Sequence, residues 1–147
     1  MPDWLRSGMQ LGMGRTMSLA ERILEGRSVL LVEDEAMLAM VLEDRLLDAG
    51  STAVHIFGHV EAALVFLAAH TVDLAIVDVN VAGESGERVG EVLVARGIPF
   101  VFSSGYDDVG LDERWRDWPL LRKPYGTADL HAVLLDLIHG TKGTDPV

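Results

Sequence analysis

Cysteine is absent from the 147-residue chain. Its absence excludes disulfide frameworks, zinc ribbons and thiol catalysis together, and weakly favours a reducing cytosol. Positive charge is scarce: 12 Lys and Arg stand against 23 Asp and Glu, a formal charge of −11. A surface that negative repels phosphate backbones, so no nucleic-acid partner is expected. Long apolar runs are missing too. The longest, Ala62 to Ala69, falls far short of the roughly 20 residues a membrane span needs. The first 20 residues hold no continuous apolar segment, so neither a secretory signal nor a membrane partner is expected. The residues present, 49% apolar and 24% charged, suit an ordinary globule with a real core. The composition therefore describes one acidic, soluble, cytoplasmic domain.

Residues 1–27 differ from the rest of the chain. Four of the six methionines lie there (Met1, Met9, Met13, Met17), among scattered glycines and without a sustained period. Ser18-x-x-Glu21 resembles a capping box opening a short helix that Gly26 would stop. The stretch reads either as a frayed extension, with translation beginning at Met17, or as a functional arm. Gly8, Gly12 and Gly14 precede the first strand instead of coming after it, so they form no dinucleotide loop.

From Ser28 the pattern is regular. Val29–Val32, Leu74–Val77 and Phe100–Phe102 are short, wholly apolar runs of the kind found in buried parallel strands. Residues 53–57 and Leu120-Leu121 are further strand candidates. Between them, Leu38, Val41, Leu42, Leu46 and Ala49, then Val60, Ala63, Leu64 and Leu67, then Val89, Val92 and Leu93, recur at helical spacing. The stretch following Leu74–Val77, through Gly83 and Gly86, reads as turn-rich. Thr127 is expected to cap a last helix with Leu130, Val133, Leu134 and Leu137 inward and Gly140 at its end. Strand and helix thus alternate through residues 28–140, which predicts a parallel sheet covered on both faces, with a polar tail over 141–147. The weak element is the fourth helix. Gly110 and Pro119 bracket Leu111, Trp115 and Trp118, leaving room for a turn or two with few evident core anchors. Trp115 and Trp118 read as covering the core.

Chemistry concentrates at the strand ends. The first strand runs into Glu33-Asp34-Glu35, the third into Asp78, and the fourth into Ser103-Ser104. In an open parallel sheet those ends line the ligand crevice. Glu33, Asp34 and Asp78 crowded there repel unless a cation neutralises them, and an all-oxygen cluster suits Mg²⁺. A carboxylate beside Mg²⁺ can attack phosphorus, and the transferred group needs cations and donors at its oxygens. Lys123 offers an ammonium and Ser104 a hydroxyl. Lys123-Pro124 is a candidate cis bond, since X–Pro bonds alone take that form cheaply. The five histidines have no matching ligand or phosphotransfer context.

The acids of VLLVEDE (29–35), the aspartate of LAIVDVN (74–80), the serine of FVFSSGY (100–106) and the lysine of PLLRKP (119–124) together resemble a two-component response-regulator receiver domain. The resemblance covers residues 28–140 and implies the flavodoxin-like (βα)5 fold with strand order 2-1-3-4-5. It implies Asp78 as phosphoacceptor, Glu33, Asp34, Asp78 and the Asn80 backbone carbonyl as Mg²⁺ ligands, Ser104 as switch hydroxyl and Lys123 as charge partner of the phosphoryl. It further implies a sensor histidine kinase as donor, a downstream protein or a phosphate-sink role, and a stand-alone monomer or weak homodimer that catalyses only its own phosphorylation and dephosphorylation.

Departures from the family pattern are visible. Val81-Ala82 replaces the usual Met-Pro, and Leu120 replaces an aromatic that rotates inward on activation. With Phe102-Ser103-Ser104-Gly105-Tyr106 and a short fourth-helix region, these features are similar to a variant subclass known by the letters FATGUY. Two other classes stay open. A haloacid-dehalogenase-like phosphatase needs a second acid where Asn80 stands, and a phosphorylation-independent pseudo-receiver would usually have lost an acid or the lysine.

Overall fold

Strands that are apolar at every position must be covered on both sides, and the fold does so. The computed structural model describes residues 22–105 and 111–139. In chain order it places β1 (Ser28–Val32), α1 (Ala36–Asp48), β2 (Ala53–Phe57), α2 (Val60–Ala69), β3 (Leu74–Asp78), β4 (Asn80–Val81), β5 (Glu84–Ser85), α3 (Glu87–Ala95), β6 (Phe100–Ser104), β7 (Leu120–Arg122) and α4 (Thr127–Ile138). Five strands form one sheet in the order β2-β1-β3-β6-β7, every pair parallel. Counting only these strands, this is the expected flavodoxin-like order 2-1-3-4-5.

Side chains alternate across the pleat and so divide the core in two. Leu30, Val32, Ala75, Val77, Phe100 and Phe102 meet Val60, Ala63 and Leu67 of α2 and Val89 and Leu93 of α3. Val29, Leu31, Leu74, Ile76, Val101 and Leu121 meet Ala39, Leu42 and Leu46 of α1 and Leu130, Leu134 and Leu137 of α4. The chain visits β2 on one side of β1 and then crosses to β3 on the other. That reversal is the topological switch point where parallel sheets open a crevice.

Several expectations are corrected. Thr127 is the first helical residue of α4 and not its cap: Gly126 holds that place, and its N–H donates to Asp129 Oδ2 at 3.2 Å. A carboxylate reaching back from the first turn replaces the hydroxyl cap. Val41 faces solvent, because the buried stripe of α1 runs through Ala39, Leu42 and Leu46. Between β6 and β7 the described residues carry only a 3₁₀ turn, Glu113–Trp115. This segment is better anchored than expected. Trp115 is buried edge-on against Phe100 and Phe102, with Trp118 and Leu111 packed beside it. The turn-rich segment holds a small antiparallel ribbon, β4 with β5, whose tip residues Ala82 and Gly83 both have positive φ. The Ser18–Glu21 helix start and the Gly140 stop lie outside the described residues.

Gly86, at the start of α3, lies against the end of β3. A Cβ there would meet the Asp78 carbonyl oxygen at 2.1 Å and the Val77 side chain at 3.0 Å. Backbone cannot yield as a side-chain tip can. Gly86→Ala is expected to lower stability by about 1–3 kcal/mol, read as a lower urea midpoint with unchanged slope. An unchanged midpoint contradicts this packing.

Candidate functional site

Each acid arrives at the crevice because the run before it is buried. β1 ends at Val32, so Glu33 and Asp34 emerge at the carboxyl edge of the sheet. β3 ends on Asp78 itself, paired in register with Ser103 of β6. Lys123 comes directly after β7, its N–H donating to the Ser104 carbonyl at 2.8 Å and its peptide with Pro124 cis. The crevice therefore gathers residues far apart in sequence.

Carboxylate oxygens of Glu33, Asp34 and Asp78 lie within 4.8 Å of one another. Lys123 Nζ sits 2.8 Å from Asp78 Oδ2 and 3.1 Å from Glu33 Oε1. Glu33 and Asp78 are each only 3% exposed, whereas Asp34 is open to solvent. Backbone donors hold the remaining oxygens. Glu35 N–H donates to Glu33 Oε2 at 3.0 Å, Asn80 N–H to Asp78 Oδ1 at 3.2 Å, and Ala82 N–H to Asp34 Oδ2 at 3.0 Å. The Asn80 side chain accepts from Gly83 N–H at 3.0 Å, which closes the ribbon tip. Ser104, buried at the end of β6, donates its hydroxyl to the Gly105 carbonyl at 3.1 Å. All the predicted site residues thus lie at one edge of the sheet.

Burial pushes the Glu33 carboxyl above its ordinary range; the Glu35 amide and Lys123 pull it back, and the Asp78 charge adds to the rise. Burial alone would lower Lys123, but its hydrogen bonds to Asp78 and Glu33 outweigh that and hold the ammonium charged. Three acids share one cation, so the cluster carries excess negative charge in a half-dry site. That donor set, hard oxygens without nitrogen or sulfur, fits Mg²⁺.

Sequence reasoning missed three participants. The Glu35 and Ala82 amides act through backbone geometry that no residue type announces. Tyr125 is the third. Its hydroxyl is buried without a hydrogen-bond partner among the described residues. Burial, then the Glu33 charge, raises it to about 12.

No protein-family model matches the chain. The curated transcriptional regulatory protein PdtaR of Mycobacterium tuberculosis is 32% identical over 108 residues, covering 71% of this chain and 53% of its own. The chain thus spans about half the length of the curated relatives it matches. The solution structure of SdrG from Sphingomonas melonis is 39% identical and covers 79% of this chain and 98% of its own, with a TM-score of 0.65. A crystal structure of a response regulator receiver protein from Sinorhizobium medicae is 26% identical over 79% of this chain and 97% of its own, with a TM-score of 0.66. The chain belongs to the response-regulator receiver domains, the signalling modules of two-component systems. Among the described residues, no helix is long and apolar enough to cross a membrane.

The Tyr125 environment sets an alkaline limit. Between its ordinary 10.0 and about 12, the unfolded phenol loses its proton while the folded one keeps it, so stability falls as pH rises. Lys123, also raised, acts in the same direction. Tyr125→Phe is expected to remove part of the loss, on the order of 1–3 kcal/mol by pH 12, while leaving neutral-pH stability equal or higher. Urea midpoints at several pH values check both. Parallel pH profiles for the two proteins contradict it.

Proposed function

We propose that this chain is a phosphoryl-accepting response regulator whose acceptor is Asp78. One observation carries the reading: Lys123 Nζ bridges Asp78 and Glu33 beside Asp34, at the carboxyl edge between β1 and β3. An Asp78 carboxylate oxygen attacks phosphorus, and the bond from phosphorus to the donor breaks. With a sensor histidine kinase as donor that bond is P–N, and the released imidazole keeps the electron pair and takes up a proton. Glu33, Asp34, Asp78 and the Asn80 carbonyl would hold Mg²⁺, which when bound offsets charge among the acids and on the phosphoryl oxygens. Lys123 supplies a fixed positive charge to those oxygens, and the Ser104 hydroxyl a hydrogen bond. Water later hydrolyses the acyl phosphate, so the chain turns over only its own phosphoryl group.

The further assignments rest on the same reading. The domain spans residues 28–140, flanked by an N-terminal extension and a polar tail. It works in the cytoplasm as a monomer or weak homodimer, relaying the signal to a downstream protein or serving as a phosphate sink. Its strongly acidic character disfavours nucleic acid as a direct partner of this domain.

Incubation with acetyl phosphate and Mg²⁺, then intact-mass measurement, tests the reading. The wild type is expected to gain one phosphoryl group, Asp78→Asn none, and chelated wild type little. Equal labelling of the variant, or labelling indifferent to chelator, contradicts it. Absence of any mass gain points to a pseudo-receiver, and many-fold turnover to a phosphatase.

A further inference from the structure

A hollow lies between α3 and the connection from β6 to β7. Glu91, Val94 and Ala95 of the helix, with Arg114, Trp115 and Trp118 of the connection, line a cavity of about 460 Å³. That volume is ordinary for a small-molecule site. Its walls are mostly apolar, and its two charged groups, Glu91 and Arg114, are paired with each other at 2.7 Å. The Arg114 guanidinium also stands 4.6 Å from the centre of the Trp115 ring. Gly86, just before α3, lies against the Asp78 carbonyl, whereas Val94 and Ala95 come at least about 10 Å further along the helix. The hollow is thus separate from the crevice at the carboxyl edge of the sheet.

Two donors belonging to this lining have nothing to donate to. The indole N–H groups of Trp115 and Trp118 are both buried, and neither has an acceptor among the described residues. A buried tryptophan N–H ordinarily finds a partner, so two orphans in the lining of one cavity call for a cause. Core packing accounts for the rings and not for the N–H groups. Trp115 is 4% exposed and meets Phe100 and Phe102 edge-on, with Trp118 edge-on to Trp115 at a centroid distance of 5.1 Å. Phenylalanine at either position would offer a ring to the same neighbours with no donor left to satisfy.

We propose that this cavity binds a small, uncharged aromatic molecule bearing a carbonyl-type acceptor. The aromatic body lies against the indoles, Val94 and Ala95, and the carbonyl oxygen takes the hydrogen bond that the indole N–H groups lack. Charge selects a neutral ligand: Glu91 and Arg114 offset each other, and a chain of formal charge −11 repels anions. Trp118 is only partly buried and lies outside the helices and strands, so a tilt of its ring admits the carbonyl. The connection is tied to α3 by Asp112 N–H donating to Glu87 Oε2 at 2.5 Å and by the Arg114–Glu91 pair, and the ligand bridges the same two elements. The inference stands on the cavity and its unmet donors, and not on the chemistry assigned to Asp78.

Titration of the full chain with acetophenone, followed through the indole N–H signals in NMR, tests the proposal. Acetophenone is expected to shift the Trp115 and Trp118 signals saturably. α-Methylstyrene has the same outline without an acceptor, and it is expected to bind roughly two- to tenfold more weakly, the loss of one hydrogen bond. Benzoate, which carries a charge, is expected to bind more weakly still. Ala95→Phe fills the cavity from its exposed wall and leaves the buried rings in place. That variant is expected to keep its thermal midpoint and to lose acetophenone binding about tenfold or more. Indole signals that acetophenone leaves unmoved overturn the proposal, as does an Ala95→Phe response equal to wild type. Equal affinity for acetophenone and α-methylstyrene overturns it too, since the N–H groups then receive no acceptor.

Discussion

Three clustered carboxylates, two of them paired with one ammonium, are the constraint on which the rest of this structure depends. Glu33 and Asp78 are withdrawn from water, and Lys123 lies within 3.1 Å of both. Leaving one such charge buried and unpaired is strongly unfavourable, so the arrangement needs a scaffold that holds every member in place. The parallel sheet does this. β1 pairs directly with β3, and β6 links β3 to β7 in fixed register, so each delivers its residue to the same edge. The two-sided core is what allows the apolar runs of these strands to end together there.

Backbone amides complete the arrangement. The Glu35, Asn80 and Ala82 N–H groups each bind a different acid, so each carboxylate has its own fixed donor. Ala82 takes a left-handed conformation, φ 52°, that residues with a Cβ rarely adopt. Its amide is thereby presented to Asp34 across 48 positions of chain. On the α3 side the connection from β6 to β7 is held by aromatic packing: Trp115 against Phe100 and Phe102, with Trp118 edge-on to Trp115. Gly90 of α3 makes room for those rings, since a Cβ there would stand 2.9 Å from Phe102 and 3.2 Å from Phe100.

The parts of the fold legible in the sequence are those governed by apolar period. Leu74–Val77 and Val29–Val32 announce buried strands because nothing polar interrupts them, and the acids that end them are visible for the same reason. Glu33, Asp34, Asp78 and Lys123 are therefore readable as one cluster from sequence alone. Less legible is whatever depends on backbone conformation or on which of several apolar residues turns inward. Val41 matches helical spacing as well as Leu42 does, yet the sheet lies on the other side of it. The β4–β5 ribbon rests on two positive φ angles, one of them at an alanine. Trp115 and Trp118 read as core-covering in the sequence, and they are, but the rings they meet, Phe100 and Phe102, lie in a strand more than ten residues away and are not named by any local pattern. Tyr125 gives no signal at all, since a phenol beside a cis proline reads as surface until its burial is known.

On the proposed reading a divalent cation relieves the crowding of these acids and so stabilises the folded chain, and that linkage is the most direct measure of the account. The urea midpoint should rise steadily with Mg²⁺, by about 2.7 kcal/mol of stability at one hundred times the dissociation constant. Asp34→Ala should shift the dependence to much higher Mg²⁺, because a ligand is lost. Lys123→Ala should keep or strengthen it, because a competing cation is removed. A wild-type midpoint that Mg²⁺ leaves unmoved, or an Asp34→Ala response equal to wild type, would contradict the account.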